Sequence, residues 1–337
     1  MQNCLRVYPD TQIYVISIRD VTGGPDALHQ MAYYLKKLGY NVKMAYLYTQ
    51  NKDDVQAPEA YKCYGIDGVR VDDIIDDKHN IIIIPETFTY YVPVFRKAQK
   101  CVWWLSVDNY LNKIGKIDFA FRKDFAWHHR CFGALFRYKL KNPKVLNACA
   151  SYYAKDFLAD HGVDCQLMIE PLGLTFIDFM KKHKASDVTA KRDVVFYNPK
   201  KGKEVTDRII QSCPDIEFIP IQGMTYQQVL ETLQTGKVYM DFGEFPGAER
   251  LPKEAVISGC CIITGTKGAS KNKFDVCIPE KYKYKDPLSN IVEIHNQILD
   301  FYKEYEKYRE DFKAYVDRVN NLESEFEKSI KRVFERV

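Results

Sequence analysis

The chain has 337 residues, of which 46% are hydrophobic, and a formal net charge of +4 at pH 7. This length exceeds one ordinary domain and accommodates two domains of roughly 150 residues. So small a net charge does not indicate a nucleic-acid partner. No apolar run approaches the roughly 20 residues of a membrane-spanning helix, and the N-terminus lacks the charged-then-apolar pattern of a secretion signal. We therefore expect a soluble, cytoplasmic protein.

The ten cysteines are scattered along the chain. They form neither a CxxC pair nor a cluster with histidine, which are the spacings typical of zinc sites. Cys260 and Cys261 begin a predicted buried strand, where cysteine packs as a small hydrophobic residue. The sequence therefore predicts no metal site and no disulfide framework.

The first half of the chain alternates short apolar runs with helical patterns, which is typical of a parallel sheet with crossover helices. The run at residues 80–84 ends in four isoleucines and predicts a central strand. Further strands are predicted at residues 12–18, 41–47, 101–107, 145–151 and 166–169, and an amphipathic helix is predicted at residues 26–38.

The alternation restarts after a polar, lysine-rich stretch at residues 173–192, which we predict to be an interdomain linker. A second sheet is predicted after it, with strands at 193–197, 216–220, 237–241 and 260–264, and helices at 203–212, 225–233 and 253–258. The sequence therefore predicts two Rossmann-like domains, residues 1–172 and 193–290. Residues 291–337 are predicted to be helical, with a break at Asn320-Asn321.

The most informative stretch is KVYMDFGEFPGAERLPKEAVISGCCIITG, residues 237–265. It predicts a strand, a glycine-containing loop, a helix with Pro252 in its first turn, and a second strand. The amides at the start of such a helix can bind a phosphate, and Glu254, placed in the first turn, can accept hydrogen bonds from a ribose. The alternative is an ordinary strand–loop–helix connection, in which Glu249 and Arg250 are surface charges and Glu254 stabilises the helix.

This stretch resembles the nucleotide-sugar loop of GT-B glycosyltransferases, in particular the retaining transferases of the family 4 type. Their glycine loop is followed by Glu-Ala, a small residue and glycine, and then a strand. The second of the family's two glutamates matches Glu254, whereas the first falls on Pro246. The resemblance implies an α/β fold of two Rossmann-like domains facing each other across a cleft, with a C-terminal helical segment that crosses back to the N-terminal, acceptor-side domain.

The resemblance also implies the activity. A sugar would be transferred from a nucleoside diphosphate donor to a saccharide or lipid-linked acceptor, with retention at the anomeric carbon and without a bound metal, in polysaccharide or cell-surface glycan synthesis. The amides around Gly247 and Ala248 would face the donor sugar or pyrophosphate, and Glu254 would hold the ribose. Glu249 or Arg250 would supply the polar contact of the missing first glutamate.

A second motif, Asn198-Pro199-Lys200-Lys201-Gly202, follows the first strand of the second half. Open α/β sheets bind ligands at such strand ends. By resemblance, Asn198 lies at the donor and Lys201 matches the lysine that neutralises the pyrophosphate. The arginine that the family carries a few residues upstream has no counterpart here. The alternative is a solvated lysine turn.

Two motifs in the first half are also candidates. By resemblance, Gly23 and Gly24 belong to a loop that approaches the donor phosphate, and Asp108 occupies the place of a histidine that faces the donor sugar. The alternatives are that Asp26 caps its helix and that Asp108 caps a turn. The glycines do not form GxGxxG, and no ribose-binding acid follows about twenty residues later, so we predict no dinucleotide cofactor.

The segment at residues 121–144 carries seven basic residues and one acid, Asp124, with aromatic residues between them. Such a segment can bind an anionic membrane surface or an acidic acceptor. The alternative is a solvated helix face with buried aromatics.

Two other functions remain open at this stage. The same fold also hosts nucleotide-sugar epimerases. A non-catalytic sugar-binding subunit is the third class, because the first glutamate and the upstream arginine of the family pattern are missing.

Overall fold

The computed structural model describes residues 4–49, 51, 54–112, 142–183 and 191–337. The chain divides into two compact units. The first comprises Met1–Gly173 together with Glu323–Val337, and the second comprises Leu174–Leu322. The C-terminal segment therefore returns to the first unit, as the resemblance implies.

The first unit is built on a parallel sheet. Its strands are β1 (Leu5–Val7), β2 (Ile13–Ser17), β3 (Val42–Tyr46), β4 (Gly68–Arg70), β5 (Ile81–Pro85), β6 (Gln99–Trp104), β7 (Val145–Cys149) and β8 (Gln166–Leu167). Among the described residues, seven of them form one sheet in the order β4-β3-β2-β5-β6-β7-β8. The isoleucines at 81–84 are fully buried, because helices or loops cover both faces of a central parallel strand.

Two α-helices of the first unit bear on the predictions, α1 (Gly23–Lys37) and α2 (Tyr152–Asp160). Ser151 caps α2, since its hydroxyl accepts a hydrogen bond from the Ala154 amide at 3.1 Å. The indole N–H of the fully buried Trp104 donates to the side-chain oxygen of Asn147 at 3.0 Å. The buried indole donor of Trp104 is therefore satisfied within the core.

The second unit repeats the architecture with fewer strands. Its strands are β9 (Arg192–Tyr197), β10 (Glu217–Pro220), β11 (Gly236–Asp241), β12 (Cys261–Gly265) and β13 (Lys283–Tyr284). Its helices are α3 (Leu174–Lys182), α4 (Lys203–Ser212), α5 (Tyr226–Thr235), α6 (Arg250–Ile257), α7 (Ile291–Lys303) and α8 (Tyr305–Arg309). Within the described part of the unit, the parallel sheet has the order β10-β9-β11-β12-β13, so β9 and β11 are neighbours.

The last helix, α9 (Lys313–Val333), runs through Asn320-Asn321 without interruption. The predicted break there is wrong, because the stripe of buried side chains continues through Val319, Leu322 and Phe326. Packing of such a face outweighs the weak helix propensity of asparagine. The chain then forms β14 (Phe334–Arg336), which pairs in parallel with β1 in a two-stranded sheet that the sequence did not predict.

Part of the predicted linker is helical. Helix α3 covers Leu174–Lys182 and buries Phe176 and Phe179. Residues 184–190 of the linker lie outside the described part of the chain.

A disulfide joins Cys149, the last residue of β7, to Cys165, which precedes β8. The spacing of the cysteines does not predict this pair, since the pairing of β7 with β8 brings the two residues together. Among the other described cysteines, Cys101, Cys213, Cys260 and Cys261 are buried thiols. Burial raises the pKa of each of these four thiols, so they pack as hydrophobic residues.

Candidate functional site

Two loops leave the carboxyl edge of the second sheet from the neighbouring strands β9 and β11. Residues 198–202, here called the lysine loop, connect β9 to α4. Residues 242–249, here called the glycine loop, connect β11 to α6. Ligands of open α/β sheets bind at this edge. The loops carry most of the residues that the sequence suggests for the donor, namely Asn198, Lys201, Gly247, Ala248 and Glu249.

The two loops contact each other through glycine backbone. Gly202 has a φ of +59°, and a Cβ on it would lie 2.6 Å from the carbonyl carbon of Phe242. A Cβ on Gly243 would lie 2.3 Å from the Cβ of Lys201. Glycine is therefore needed at both positions, at 202 for its conformation as well. This close packing fixes the backbone from which the Lys201 side chain extends.

The side chain of Asn198 stabilises the lysine loop. Its side-chain oxygen accepts a hydrogen bond from the Lys200 amide at 3.0 Å. This is an Asx turn, which stabilises a tight reversal directly after a strand. The structure therefore gives Asn198 a structural task in addition to its predicted position at the donor.

The structure brings Lys201 and Glu249 together. The Lys201 ammonium lies 2.6 Å from a carboxylate oxygen of Glu249. The two side chains are 31% and 22% exposed, respectively, so water and small anions can reach the pair. A phosphate at this position would compete with Glu249 for the ammonium, because both are oxyanions that form charge-assisted hydrogen bonds.

Glu254 is the fifth residue of α6, not a member of its first turn as predicted. The helix begins at Arg250 because Pro252 fits within the first turn, where its missing N–H is tolerated. The Glu254 side chain is 2% exposed. One of its oxygens accepts a hydrogen bond from the Tyr226 hydroxyl at 2.5 Å and forms an ion pair with Arg250, whose Nε lies 3.2 Å away.

Tyr226 is a site residue that the sequence did not reveal. Its ring lies against Arg250, with the guanidinium carbon 5.2 Å from the ring centre, a cation–π arrangement. It begins α5, which follows β10. Because β10 is the neighbour of β9, residues that follow it reach the same edge of the sheet. The order of the strands, which places β10 beside β9, was the signal that could have identified Tyr226.

Asp241, the last residue of β11, is a second residue whose role the sequence did not reveal. Its carboxylate accepts hydrogen bonds from the Tyr239 hydroxyl and from the Gly243 amide, both at 2.8 Å. The residue is 4% exposed, and burial raises the pKa of its carboxyl to about 6. The sequence shows an acid at the end of a buried strand, but it does not show that Tyr239 and Gly243 bond to it.

Gly247 is buried and Ala248 is half-buried within the glycine loop. The loop is held by a bridge between Phe245 and Gly268, and the Phe245 carbonyl accepts from the Ala269 amide at 2.7 Å. The N-cap residue of α6 is Glu249, whose side chain bonds to Lys201 rather than to the first amides of the helix. Those amides are the kind of group that binds an anion.

In the first unit, Gly23 and Gly24 are the first residues of α1 rather than a loop. Apart from the chain neighbours and the backbone of the helix itself, no described atom lies within 4 Å of a Cβ built on either glycine. Asp26 does not cap this helix, since it lies inside it and accepts a hydrogen bond from the Tyr64 hydroxyl at 2.8 Å. The predicted break is therefore the first turn of a helix with open space beside it.

Asp108 follows β6 at the carboxyl edge of the first sheet. Its carboxylate accepts a hydrogen bond from the Tyr153 hydroxyl at 2.8 Å. The cap of this turn is Ser106, whose hydroxyl accepts from the Asn109 amide at 3.1 Å. The alternative interpretation of Asp108 as the capping residue is therefore wrong, and its role in the chemistry stays a prediction.

Most of the basic segment, residues 121–141, lies outside the described part of the chain. Only its last three residues, 142–144, are described. Over the described ranges, no group of three or more His, Cys, Asp or Glu side chains is arranged to hold a metal ion. No helix in those ranges combines the length and the apolar character needed to cross a bilayer.

Comparison with known proteins identifies the fold. No family model and no curated protein sequence matches the chain. Among solved structures, sucrose-phosphate synthase from Thermosynechococcus elongatus is similar with a TM-score of 0.64 and 12% identity, over 96% of this chain and 98% of that one. WaaG, a glycosyltransferase involved in lipopolysaccharide biosynthesis, has a TM-score of 0.56 and 10% identity over 96% and 99% of the two chains.

A third similar structure is that of Anabaena HepE in complex with UDP-glucose, with a TM-score of 0.51 and 10% identity over 95% of this chain and 99% of that one. These structures are GT-B glycosyltransferases. The chain therefore has the GT-B fold of two Rossmann-like domains, which confirms the predicted fold class. At identities near one tenth, the likeness is one of fold.

Proposed function

We propose that the chain is a glycosyltransferase that transfers a sugar from a nucleoside diphosphate donor to a saccharide or lipid-linked acceptor, as in polysaccharide or cell-surface glycan synthesis. The observation that carries this proposal is the convergence of Lys201, Glu249, Arg250 and Glu254 at one edge of the second sheet. The three similar structures share the fold, and the HepE structure contains UDP-glucose, which supports a nucleotide sugar as the donor class.

In this proposal the pyrophosphate binds at the lysine loop. Lys201 exchanges Glu249 for the phosphate, and the amides at the start of α6, together with those of Gly247 and Ala248, add donors. Negative charge on the leaving nucleoside diphosphate grows in the transition state, so a preorganised cation there lowers the barrier. Neither the binding of the pyrophosphate nor the stabilisation of the leaving group requires a metal ion in this scheme. We propose metal-independent transfer with retention at the anomeric carbon.

Glu254 is proposed to hold the ribose hydroxyls. Tyr226 and Arg250 orient its carboxylate through the contacts described above. In the first unit, we propose that the start of α1 at Gly23 and Gly24 approaches the donor phosphate and the acceptor. The carboxylate of Asp108 is proposed to face the donor sugar.

A second candidate is a non-catalytic nucleotide-sugar-binding subunit. The specific observation that favours it is the direct ion pair between Lys201 and Glu249, which occupies the cation that catalysis would use. An epimerase of the same fold is the third class. All three bind the same ligand class and differ in what they do to it.

The experiment has two stages. A thermal-shift panel of nucleoside diphosphates and their sugars identifies the donor, because a ligand at 100 times its Kd stabilises the native state by about 2.7 kcal/mol. The selected nucleotide sugar is then incubated with and without saccharide and lipid-linked acceptors. Release of nucleoside diphosphate that depends on acceptor supports the transferase. An isomerised nucleotide sugar indicates the epimerase, binding without turnover indicates the subunit, and absence of binding across the panel contradicts all three.

We further propose that the basic segment at residues 121–144 attaches the protein peripherally to an anionic membrane or an acidic acceptor. The attraction would be screened over about 10 Å at 0.1 M salt. Sedimentation with vesicles that contain anionic lipid should therefore decrease steeply as salt rises. Reversing Arg137, Lys139 and Lys141 to Glu should abolish it and leave nucleotide affinity intact. If the wild-type protein does not bind such vesicles at low salt, the membrane proposal is refuted.

A further inference from the structure

Asp241 occupies an unusual place for an acid. It ends the central strand β11, is 4% exposed, and accepts hydrogen bonds from the Tyr239 hydroxyl and the Gly243 amide. A buried carboxylate costs free energy unless its hydrogen bonds compensate for lost hydration. An asparagine could accept the Gly243 hydrogen bond without carrying the charge, so that contact alone does not require an acid.

A short chain of contacts links Asp241 to Lys201. The carboxylate holds the amide of Gly243, and Gly243 lies so close to Lys201 that a Cβ there would approach the Lys201 Cβ to 2.3 Å. On the other side of the contact, Gly202 lies against the Phe242 carbonyl group. The position of the Lys201 backbone therefore depends on where Asp241 holds the start of the glycine loop.

The charged groups that influence Asp241 come from two loops, the glycine loop with Glu249 and the lysine loop with Lys201. Burial is the largest influence and raises the pKa of its carboxyl to about 6; the Gly243 amide and the Tyr239 hydroxyl lower this pKa. Of the charged groups, Glu249 raises it and Lys201 lowers it. On the neighbouring strand β12, the residue paired with Asp241 is the uncharged Thr264. The pKa of Asp241 therefore depends on the same ion pair, Lys201 and Glu249, at which a phosphate would bind.

We propose that Asp241 is the positioning residue of the Lys201 anion site: it holds the glycine loop against the lysine loop, and its ionisation weakens the binding of anionic ligands as the pH rises. This inference rests on the proposed function, because the anion in question is the donor pyrophosphate. A dianionic ligand beside Lys201 favours the neutral form of Asp241. By linkage, a site with neutral Asp241 binds that ligand more tightly, so the affinity decreases as the pH rises through about 6.

The test is calorimetric titration of the full chain with UDP-glucose, or with the nucleotide sugar that the thermal-shift panel ranks first, between pH 5 and pH 7.5. A nucleotide sugar is chosen because a terminal phosphate, as in a free nucleoside diphosphate, has its own ionisation near pH 6. We expect wild-type affinity to be about tenfold lower at pH 7.5 than at pH 5.

Three variants separate the two parts of the inference. Asp241→Asn keeps the acceptor for the Gly243 amide but not the charge, so its affinity should be nearly independent of pH. Asp241→Ala loses both, so it should bind weakly at every pH. Tyr239→Phe keeps the charge and the Gly243 contact, so it should keep the pH dependence with its midpoint moved to higher pH.

The outcomes are distinguishable. If Asp241→Asn retains the wild-type pH dependence, the electrostatic part is overturned while the proposed function stands. If Asp241→Ala binds as tightly as Asp241→Asn at pH 7.5, the positioning part is overturned. Should no nucleotide sugar of the panel bind the wild-type protein, the proposed function fails and the inference fails with it.

Discussion

Two lysines lie at opposite ends of strand β9 and differ in their hydrogen-bond partners and in their surroundings. Lys191 precedes the strand, and its ammonium donates to the backbone carbonyls of Gln234, Gly236 and Ser258 at 2.7, 3.1 and 2.9 Å. Burial lowers its pKa. Lys201 follows the strand, and its ammonium donates a hydrogen bond to the carboxylate of Glu249 at 2.6 Å from a side chain that is 31% exposed.

The difference separates a structural lysine from a functional one. A lysine has three donors, and backbone carbonyls satisfy all three at Lys191. Those carbonyls belong to fixed elements and cannot be exchanged for a ligand. Glu249, by contrast, is a side chain on a loop and can move away when another oxyanion arrives. The carboxyl edge of a parallel sheet is also where ligands bind, whereas the amino edge is not. We therefore expect mutations at the two lysines to affect different quantities.

The largest expected effect is on turnover at Lys201. Lys201→Ala should reduce kcat a few hundredfold, about 3.5 kcal/mol, because removal of one preorganised group that stabilises transition-state charge has this magnitude. KM should change much less, and the midpoint of thermal unfolding should stay near that of the wild type. Steady-state kinetics with the panel-selected donor measures this.

The adjacent, exposed Lys200 is the matched control. Lys200→Ala removes the same charge from the same loop and should keep kcat within about twofold. If Lys200→Ala abolishes turnover and Lys201→Ala does not, the assignment of the catalytic lysine is wrong. If neither variant changes turnover, the lysine loop has no part in the chemistry.

The second effect is on stability at Lys191. Lys191→Met should lower the free energy of unfolding by about 3 kcal/mol, because it leaves three buried carbonyls without their donor. Urea unfolding at equilibrium measures this loss. Turnover at a temperature where the variant is folded should be near wild type. A Lys191 variant that is stable but inactive would reverse the comparison between the two lysines.

The sequence predicted the sheets well, because apolar runs and helical patterns depend on local order along the chain. It also suggested Lys201 and Glu249 as candidate site residues, each from its own motif. It did not predict that they pair, since they are 48 positions apart and only the adjacency of β9 and β11 joins them. Contacts that depend on strand order are not encoded in a local pattern.

The missed residues follow the same rule. Tyr226 matters through its contacts with Arg250 and Glu254, which belong to another helix, α6. Asp241 matters through Gly243, because Gly243 lies against Lys201 of another loop. Strands β1 and β14 have three residues each, too few to show a period. The start of α6 was placed at residue 253 rather than Arg250, because a proline within a first turn looks the same as one at its beginning. Glu254 consequently lies deeper in its helix than predicted.

A third prediction extends the comparison from the pyrophosphate to the ribose. Glu254→Gln should weaken the binding of nucleoside diphosphate by about 2 kcal/mol, because a charge-assisted hydrogen bond to the ribose is replaced by a neutral one. Calorimetry with the folded variant measures the change. Glu244→Gln is the control, since Glu244 is an exposed acid on the glycine loop that precedes α6. Equal affinities of wild type and Glu254→Gln would remove Glu254 from the site.

The smallest expected effect concerns stability and sharpens the contrast between structural and functional charges. The pKa of Asp241 is raised from 3.8 to about 6 in the folded protein, chiefly by burial. Between these two values the folded state binds more protons than the unfolded state, so this group's contribution to stability decreases as the pH rises from about 4 to 6. At pH 7.5 the ionised carboxylate therefore destabilises the fold.

Asp241→Asn should remove this penalty. We expect the variant to be more stable than the wild type by about 1 kcal/mol at pH 7.5, less than the full shift implies because ionised buried groups attract water and relax their surroundings. At pH 4 and below, where the wild-type carboxyl is protonated, the gain should disappear. Urea unfolding of both proteins across this range measures the difference. A variant that is less stable than wild type at pH 7.5 would mean that the acid, like Lys191, serves the fold, and the distinction between the two edges of the sheet would not extend to Asp241.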